Sequence, residues 1–217
     1  MTQAVARIGM FGGTFDPVHL GHLRSAVELR EALMLDCVHM IPAPSPPLRG
    51  VPQVDASQRL ALLEAGVGDT PGLKVDAREL DRVGPSYSVD TLSELRAEYG
   101  PSARLVMAVG VDAFSRFAQW ERLEALFELA HVVVMARPGY DTPWSDALRE
   151  LLGHREVDDV AALMASPSGG ILVLSLPSRI DVSATELRER LADGRSVRYL
   201  LPDAVERAIV AQKLYRR

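Results

Sequence analysis

The sequence predicts an α/β fold, a doubly wound and mainly parallel sheet with flanking helices. Six short apolar runs have the length and composition of buried strands, and segments with apolar residues at spacings of three and four separate most of them. The first strand, the first helix and the second strand form a βαβ unit, which requires a right-handed crossover. The strands are predicted at about 4–11, 37–41, 73–75, 104–110, 131–136 and 170–175.

The length of the chain bounds its organisation. Its 217 residues are ample for a hydrophobic core and suit one large or two small domains. The sequence contains neither an internal repeat nor a low-complexity tail. We therefore predict a single domain over 1–217, with a helical C-terminal part over about 183–217.

Residues 8–24 carry the most informative pattern in the chain. An apolar strand ends at Phe11, Gly12 and Gly13 allow a tight turn, and helical periodicity begins near Leu20. A strand, a glycine turn and a helix start bring free backbone N–H groups and the positive end of the helix dipole together. This arrangement is typical of a phosphate-binding site.

Two histidines lie inside this turn. His19 and His22 are three residues apart, so they share one face of the first helical turn, and Gly21 leaves that face unobstructed. A single histidine here would most simply be explained by capping and packing. Two of them beside a phosphate-binding turn indicate stabilisation of charge on a reacting phosphate.

The next third of the chain predicts a loop and two capped helices. Residues 42–53 are too rich in proline for a helix or a central strand. We expect a loop at the carboxyl end of the second strand, where ligands of open α/β sheets bind. Asp55 and Gln58 resemble a capping box at the start of one helix, and Ser88 is expected to cap another that runs to Tyr99.

A candidate ribose ligand and an aromatic stripe follow the fourth predicted strand. Asp112 comes directly after this strand, where an acidic residue can accept a hydrogen bond from a ribose hydroxyl. Phe114, Phe117 and Trp120 stand at helical spacing, which is typical of core residues. The polar neighbours of Trp120 nevertheless predict that it is only half buried. Another helix is expected over 121–129.

The last third of the chain predicts a second anion-binding helix start. Ser183 and Glu186 form a capping box. Thr185 lies in the first turn of this helix and Arg188 lies one turn on, so a hydroxyl, backbone N–H groups and a guanidinium can meet one triphosphate. A final amphipathic helix is expected over 203–215.

Composition argues against several classes of protein. A formal net charge of -5 gives no global basic field for nucleic acid or a membrane surface. The single cysteine, Cys37, permits neither an internal disulfide nor a cysteine metal cluster, and its apolar neighbours predict a buried thiol. There is no apolar run of about 18 residues and no signal-peptide pattern, so we expect a cytoplasmic protein. Neither a P-loop nor a dinucleotide-binding glycine fingerprint occurs.

Two motifs resemble a known family. Residues 12–22 read Gly-Gly-Thr-Phe-Asp-Pro-Val-His-Leu-Gly-His, which is similar to the nucleotidyltransferase signature and, more closely, to the bacterial nicotinate-nucleotide adenylyltransferases. Residues 182–188 read Val-Ser-Ala-Thr-Glu-Leu-Arg and resemble the second motif of that family. The resemblance extends from residue 8 to about 201 and implies a Rossmann-like nucleotidyltransferase fold.

The resemblance implies an adenylyl transfer in NAD biosynthesis. The partners would be ATP and nicotinate mononucleotide, and the products nicotinate adenine dinucleotide and pyrophosphate. Mg²⁺ would enter with ATP rather than on protein ligands, because the sequence contains no carboxylate cluster for a protein-held metal. We expect no metal site of the protein's own, no nucleic acid partner and no membrane partner. The oligomeric state stays open, with a homo-oligomer among the possibilities.

The resemblance also implies roles for individual residues. The catalytic residues would be His19 and His22. ATP and its phosphates would be bound by Gly12, Gly13, Thr14, Phe15, Asp16, Ser183, Thr185 and Arg188. Nicotinate mononucleotide would be bound by Arg49, Ser86, Tyr87, Ser88, Asp112, Trp120, Glu121 and Arg137. In the family a tryptophan at the position of Trp120 stacks on the pyridine ring, and the next backbone N–H helps to hold the carboxylate. Leu48 departs from the family, which usually has histidine there.

Three other functions stay open at this point. Pantetheine-phosphate adenylyltransferases share both end motifs, but they usually carry threonine at the position of His19 and are shorter. Nicotinamide mononucleotide differs from the acid only by an amide in place of a carboxylate. A nucleotide-sensing module that binds without reacting is an alternative from another class, and the retention of His19, His22, Ser183, Thr185 and Arg188 argues against it.

Overall fold

The computed structural model describes residues 5–44, 51–136, 144–178 and 180–216. Its strands are β1 (Arg7–Gly13), β2 (Cys37–Pro42), β3 (Leu73–Val75), β4 (Arg104–Gly110), β5 (His131–Ala136) and β6 (Ile171–Ser175). Its helices are α1 (Leu20–Leu33), α2 (Ala56–Val67), α3 (Ser88–Tyr99), α4 (Val111–Phe114), α5 (Leu123–Leu129), α6 (Asp146–Leu152), α7 (Val160–Met164), α8 (Ala184–Ala192) and α9 (Asp203–Gln212). Two short 3₁₀ helices cover Phe117–Gln119 and Gly153–Arg155.

The strands form one six-stranded sheet in the order β3-β2-β1-β4-β5-β6. The pairs β1–β4, β4–β5 and β5–β6 are parallel, with Met10 opposite Met107 and Met107 opposite Val132. This confirms the predicted parallel α/β fold. The chain runs outward from β1 in one direction and returns to the other side of β1 with β4. The turn after β1 therefore lies at a topological switch point, where ligands of open α/β sheets bind.

The chain forms two compact units. The first contains Met1–Phe11, Glu28–His39 and Tyr87–Arg179, and the second contains Gly12–Val27, Met40–Ser86 and Ile180–Arg217. The chain passes between them several times, and both β1 and α1 contribute residues to each. The single domain predicted over 1–217 stays a prediction.

An aromatic cluster fills part of the first unit. Phe114, Phe117 and Phe127 are almost fully buried, and the rings of Phe114 and Phe117 lie 5.3 Å apart. The prediction that the stripe belongs to the core is confirmed for Phe114 and Phe117. The two rings do not share one helix, however, because α4 ends at Phe114 and a 3₁₀ turn begins at Phe117.

Close helix packing organises the second unit. A side chain at Gly66 of α2 would place its Cβ 3.1 Å from Val18 and 3.2 Å from Val205 of α9. The missing Cβ lets α2 approach both neighbours. The buried face of α2 contains Arg59, Leu62, Leu63 and Val67, so an arginine lies in an otherwise apolar stripe.

Some predicted helix ends shift by a few residues. Ser88 was predicted to cap α3, but it is the first helical residue and Tyr87 occupies the cap position without a side-chain hydrogen bond. The helix expected from 121 begins at Leu123. The last helix ends at Gln212 rather than at 215, because Lys213 takes a left-handed conformation. Within the described residues, no helix combines the length and apolar character that crossing a membrane requires.

A buried histidine connects β5 to the turn before β6. The Gly170 N–H donates to His131 Nδ1 (3.0 Å), so in the neutral ring Nε2 carries the proton and donates to the Ser166 carbonyl (2.9 Å). Burial lowers the pKa of His131, although the hydrogen bond to Ser166 opposes this effect.

We expect the folded protein to lose stability in weak acid partly through His131. Its folded pKa is depressed, so the unfolded chain binds the proton more readily. The stabilisation is complete above the unfolded value of about 6.5 and falls as the pH drops below it. A His131→Asn variant should therefore show a smaller fall in melting temperature between pH 8 and pH 5 than the wild-type protein. The control is His154→Asn, at an exposed histidine in a 3₁₀ turn, and equal falls in all three proteins would contradict the prediction.

Candidate active site

The turn after β1 is built around Phe15. Phe15 is buried and takes a left-handed conformation (φ 47°), which side-chain-bearing residues rarely adopt. A Cβ on Gly13 would lie 3.0 Å from the Phe15 ring, so a side chain there would crowd this buried ring. The Ala43 N–H donates to the Gly13 carbonyl (2.9 Å) and joins the segment after β2 to this turn.

The two histidines of the motif form a stack. The rings of His19 and His22 lie 3.6 Å apart at 24°, and Phe15 meets the His22 ring edge-on at 5.1 Å. The His22 N–H points to His19 Nδ1 at 3.4 Å. A Cβ on Gly21 would lie 3.0 Å from the His19 ring. Gly21 therefore makes room for His19, in agreement with the predicted unobstructed face.

The start of α1 has fewer free donors than the pattern predicts. The Leu20 N–H donates to the Leu200 carbonyl (3.1 Å), and the N–H groups of His22 and Leu23 donate to the His19 carbonyl (3.0 and 3.2 Å). Side-chain donors must therefore supply much of any anion binding by this turn.

Arg59 holds the backbone around the turn. Its guanidinium donates to four carbonyl oxygens, those of Thr14 (2.6 Å), Ala43 (2.8 Å), Pro44 (2.8 Å) and Val54 (3.2 Å). The side chain is almost fully buried. Burial lowers the pKa of Arg59, and the nearby Asp16 carboxylate opposes this effect. One buried cation thus joins the ends of β1 and β2 to the start of α2.

Asp16 is the second organising residue. The residue is only 4% exposed. Oδ1 accepts a hydrogen bond from the Tyr215 hydroxyl (2.8 Å), and Oδ2 accepts one from the Gln53 N–H (2.9 Å). Burial and the adjacent carboxylate raise the pKa of Tyr215 well above its ordinary range, so the phenol stays protonated and donates. These contacts favour an organising role for Asp16.

The second motif meets the first in this unit. Arg188 of α8 donates from Nη1 to the Asp16 carbonyl (2.8 Å) and from Nη2 to Thr185 Oγ1 (3.1 Å). Ser183 caps α8, accepting from the Glu186 N–H at 3.2 Å, which confirms half of the predicted capping box. Thr185 is exposed and Arg188 is half-buried. The second unit therefore gathers two imidazoles, a hydroxyl and a guanidinium around the turn after β1.

Three predicted nicotinate ligands lie on either side of the start of α3. Ser86 is in the second unit, where its hydroxyl accepts a hydrogen bond from Arg82 (2.8 Å). Tyr87 is the cap residue of α3 and Ser88 is its first residue; both lie in the first unit and are half-buried.

The remaining described candidates lie in the first unit. Asp112 is exposed in the short helix after β4, with its backbone carbonyl accepting from Ser115 (3.0 Å). Trp120 is half-buried and its ring lies 4.6 Å from Phe117, which confirms the predicted partial burial. Glu121 is exposed. An indole with one open face suits stacking on a flat ring.

Arg49 and Arg137, together with Leu48, lie outside the described residues. In the described part of the chain, no three His, Cys, Asp or Glu side chains are grouped so that they could hold a metal ion.

Sequence reasoning missed two residues that build the site. Arg59 stands three and four positions before Leu62 and Leu63, on the apolar face of α2. A charged residue in an apolar stripe predicts a buried charge with polar partners, so this pattern could have identified Arg59. Tyr215 gave no comparable signal, because its partner Asp16 is 199 positions away in sequence.

Comparison with known proteins adds sequence and fold relationships. The model of the cytidylyltransferase-like family matches residues 10–190. A protein of Chromohalobacter salexigens named probable nicotinate-nucleotide adenylyltransferase is 60% identical over 97% of this chain and 96% of its own length. A protein of Pseudomonas paraeruginosa with the same name is 49% identical over 97% of both chains.

Solved structures agree with this fold. Nicotinic acid mononucleotide adenylyltransferase of Plasmodium falciparum, complexed with NaAD, superposes with a TM-score of 0.70 at 13% identity over 97% of both chains. A putative nicotinate-nucleotide adenylyltransferase of Vibrio parahaemolyticus gives a TM-score of 0.65 at 18% identity, covering 98% of this chain and 97% of its own. At these identities the likeness establishes the fold alone.

Proposed function

This chain belongs to the nicotinate-nucleotide adenylyltransferases of the cytidylyltransferase-like family, and we propose that the stacked His19–His22 pair is where it acts on phosphate. The enzyme transfers the adenylyl group of ATP to nicotinate mononucleotide, giving nicotinate adenine dinucleotide and pyrophosphate. The observation in this chain that carries the proposal is the gathering of His19, His22, Thr185 and Arg188 around the turn after β1.

The chemistry needs no nucleophile from the protein. A phosphate oxygen of nicotinate mononucleotide attacks the α-phosphorus of ATP in line, a P–O bond forms, and the bond to the β-phosphate oxygen breaks as pyrophosphate leaves. Negative charge accumulates on the oxygens around phosphorus. Positioning and neutralisation of that charge account for catalysis of such transfers.

The residues of the second unit supply the neutralising groups. His19 and His22 donate to the reacting phosphate, and the Arg188 guanidinium and the Thr185 hydroxyl bind the outgoing phosphates. Gly12, Gly13, Thr14 and Phe15 shape the turn that receives them. Ser183 orients the start of α8. Asp16 keeps Arg188 in place through its carbonyl oxygen rather than by touching phosphate.

Mg²⁺ enters with the triphosphate as part of the substrate. A divalent ion with few protein ligands and several waters is the usual form of a Mg²⁺–nucleotide complex. Arg188, His19 and His22 would then share the neutralisation of the phosphate charge with the ion.

The pyridine half of the acceptor is assigned to the remaining predicted residues. Trp120 stacks on the pyridine ring, and the backbone around Ser86, Tyr87 and Ser88 and at Glu121 binds its carboxylate. Asp112 accepts from a ribose hydroxyl. Arg49 and Arg137 are assigned to nicotinate mononucleotide by family resemblance alone.

Pyrophosphate release tests the function. Purified protein with ATP and Mg²⁺ is offered nicotinate mononucleotide, nicotinamide mononucleotide or phosphopantetheine, and we expect strong preference for the first. Preference for nicotinamide mononucleotide would contradict the proposed carboxylate pocket but would agree with the proposed transfer chemistry. Release with phosphopantetheine alone would contradict the acceptor altogether. A folded, ATP-binding protein that releases pyrophosphate with none of the three would be a sensor.

A further inference from the structure

We infer that the ion pair between Asp90 and Arg122 positions and neutralises the segment that receives the nicotinate carboxylate, and thereby favours the acid over the amide. The inference rests on the function proposed above. It makes Asp90 and Arg122 positioning residues, since their effect on the substrate passes through neighbouring groups.

The pair joins two segments of the first unit. Arg122 Nη2 lies 2.6 Å from Asp90 Oδ1. Asp90 is the third residue of α3, in the same turn as Ser88. Arg122 directly follows Glu121 and lies two residues after Trp120. The ion pair therefore ties the start of α3 to the loop that carries the stacking indole.

The backbone at Arg122 indicates that this loop is held in one conformation. Arg122 precedes α5 with φ 48° and ψ 48°, a left-handed conformation that is uncommon for residues other than glycine. Such conformations persist where the surrounding structure enforces them, and they occur frequently at ligand sites. An ion pair to a neighbouring helix is one such constraint. It connects the residue that follows Glu121 to the first turn of α3.

Charge gives the pair its effect on specificity. A carboxylate in the first turn of a helix is stabilised by the helix dipole. The same carboxylate, left unpaired, repels a second carboxylate that binds at that helix start. Arg122 neutralises Asp90, so Asp90 presents no unpaired negative charge to the acid substrate. The neutral amide of nicotinamide mononucleotide is insensitive to this charge.

Removal of the cation should therefore penalise the acid selectively. For Arg122→Gln we expect kcat/KM for nicotinate mononucleotide to fall about five- to tenfold, mainly through KM, and kcat/KM for the amide to change by less than about twofold. The loss should shrink in high salt, which screens exposed charges. In the double variant Asp90→Asn/Arg122→Gln, which removes the unpaired carboxylate as well, we expect most of the loss to be recovered.

Three further variants complete the design. Arg122→Lys keeps the charge and should stay near wild type. Asp90→Asn alone leaves a cation and should keep the preference for the acid, which gives a second test should Arg122→Gln fold poorly. Arg149→Gln is the matched control, because it breaks another ion pair of the first unit, between Arg149 and Glu156. The side chain of Arg149 is 50% exposed and that of Arg122 is 49% exposed. Arg149→Gln should leave both substrates unaffected.

The outcomes separate the two proposals. Equal losses for acid and amide in Arg122→Gln, or a double variant no better than the single one, would reduce the pair to a structural contact and overturn the inference. A wild-type protein that does not use nicotinate mononucleotide would instead overturn the proposed function, before any variant is compared.

Discussion

Replacement of His19 by alanine is expected to lower kcat by more than tenfold. His19 stacks on His22 at 3.6 Å, within the turn that we propose receives the phosphates. Loss of one donor that stabilises transition-state charge usually costs about 2–4 kcal/mol. Steady-state pyrophosphate release with saturating ATP and nicotinate mononucleotide measures the effect.

Two variants separate this role from packing. His19→Asn keeps a polar atom near the position of Nδ1, which the His22 N–H approaches, and should preserve the fold without restoring kcat. His154→Ala removes a histidine of the first unit to which we assign no role and should retain full activity. Turnover of His19→Ala within threefold of wild type, in a protein with an unchanged melting temperature, would remove His19 from the mechanism.

Replacement of Arg59 by methionine is expected to destabilise the protein severely. Methionine fills much of the volume but leaves the carbonyls of Thr14, Ala43, Pro44 and Val54 without their shared donor. Buried polar groups that lose a charged partner typically cost about 3–5 kcal/mol in total. For a chain of this size that corresponds to a fall in melting temperature of roughly 10 °C.

The size and the location of this effect are both testable. Arg207→Met, at an exposed position of α9, should shift the melting temperature by less than about 2 °C. Arg59→Lys keeps the charge but cannot reach four carbonyls at once, so it should fall between wild type and Arg59→Met. A melting temperature for Arg59→Met close to that of Arg207→Met would show that the carbonyls find other partners.

The parts of the fold that the sequence predicted are those set by local pattern. Strands of a parallel sheet are buried on both faces, so β4 and β5 read as continuous apolar runs. Asp55 accepts from the Gln58 N–H at 2.8 Å, as the capping pattern predicts. The paired histidines were found because the motif places them three residues apart on one turn.

The parts that were missed depend on contacts between distant segments. Arg59 reaches Thr14 across 45 positions, and Tyr215 reaches Asp16 across 199. No periodicity encodes such pairs. The cap of α3 was misplaced by one residue because Ser88 has the right chemistry for a cap, while the backbone at Tyr87 has the extended conformation that a cap requires.

The two tryptophans differ in solvent exposure, so their contributions to the intrinsic fluorescence can be distinguished. Trp144 is buried, and its indole N–H donates to Glu156 (2.8 Å), so its emission reflects an interior environment. Trp120 is half-exposed, so it accounts for most of the signal that a soluble quencher can reach. Substitution of Trp144 by phenylalanine would leave a single-tryptophan enzyme. In that enzyme, stacking of a pyridine ring on Trp120 could be followed directly, without turnover.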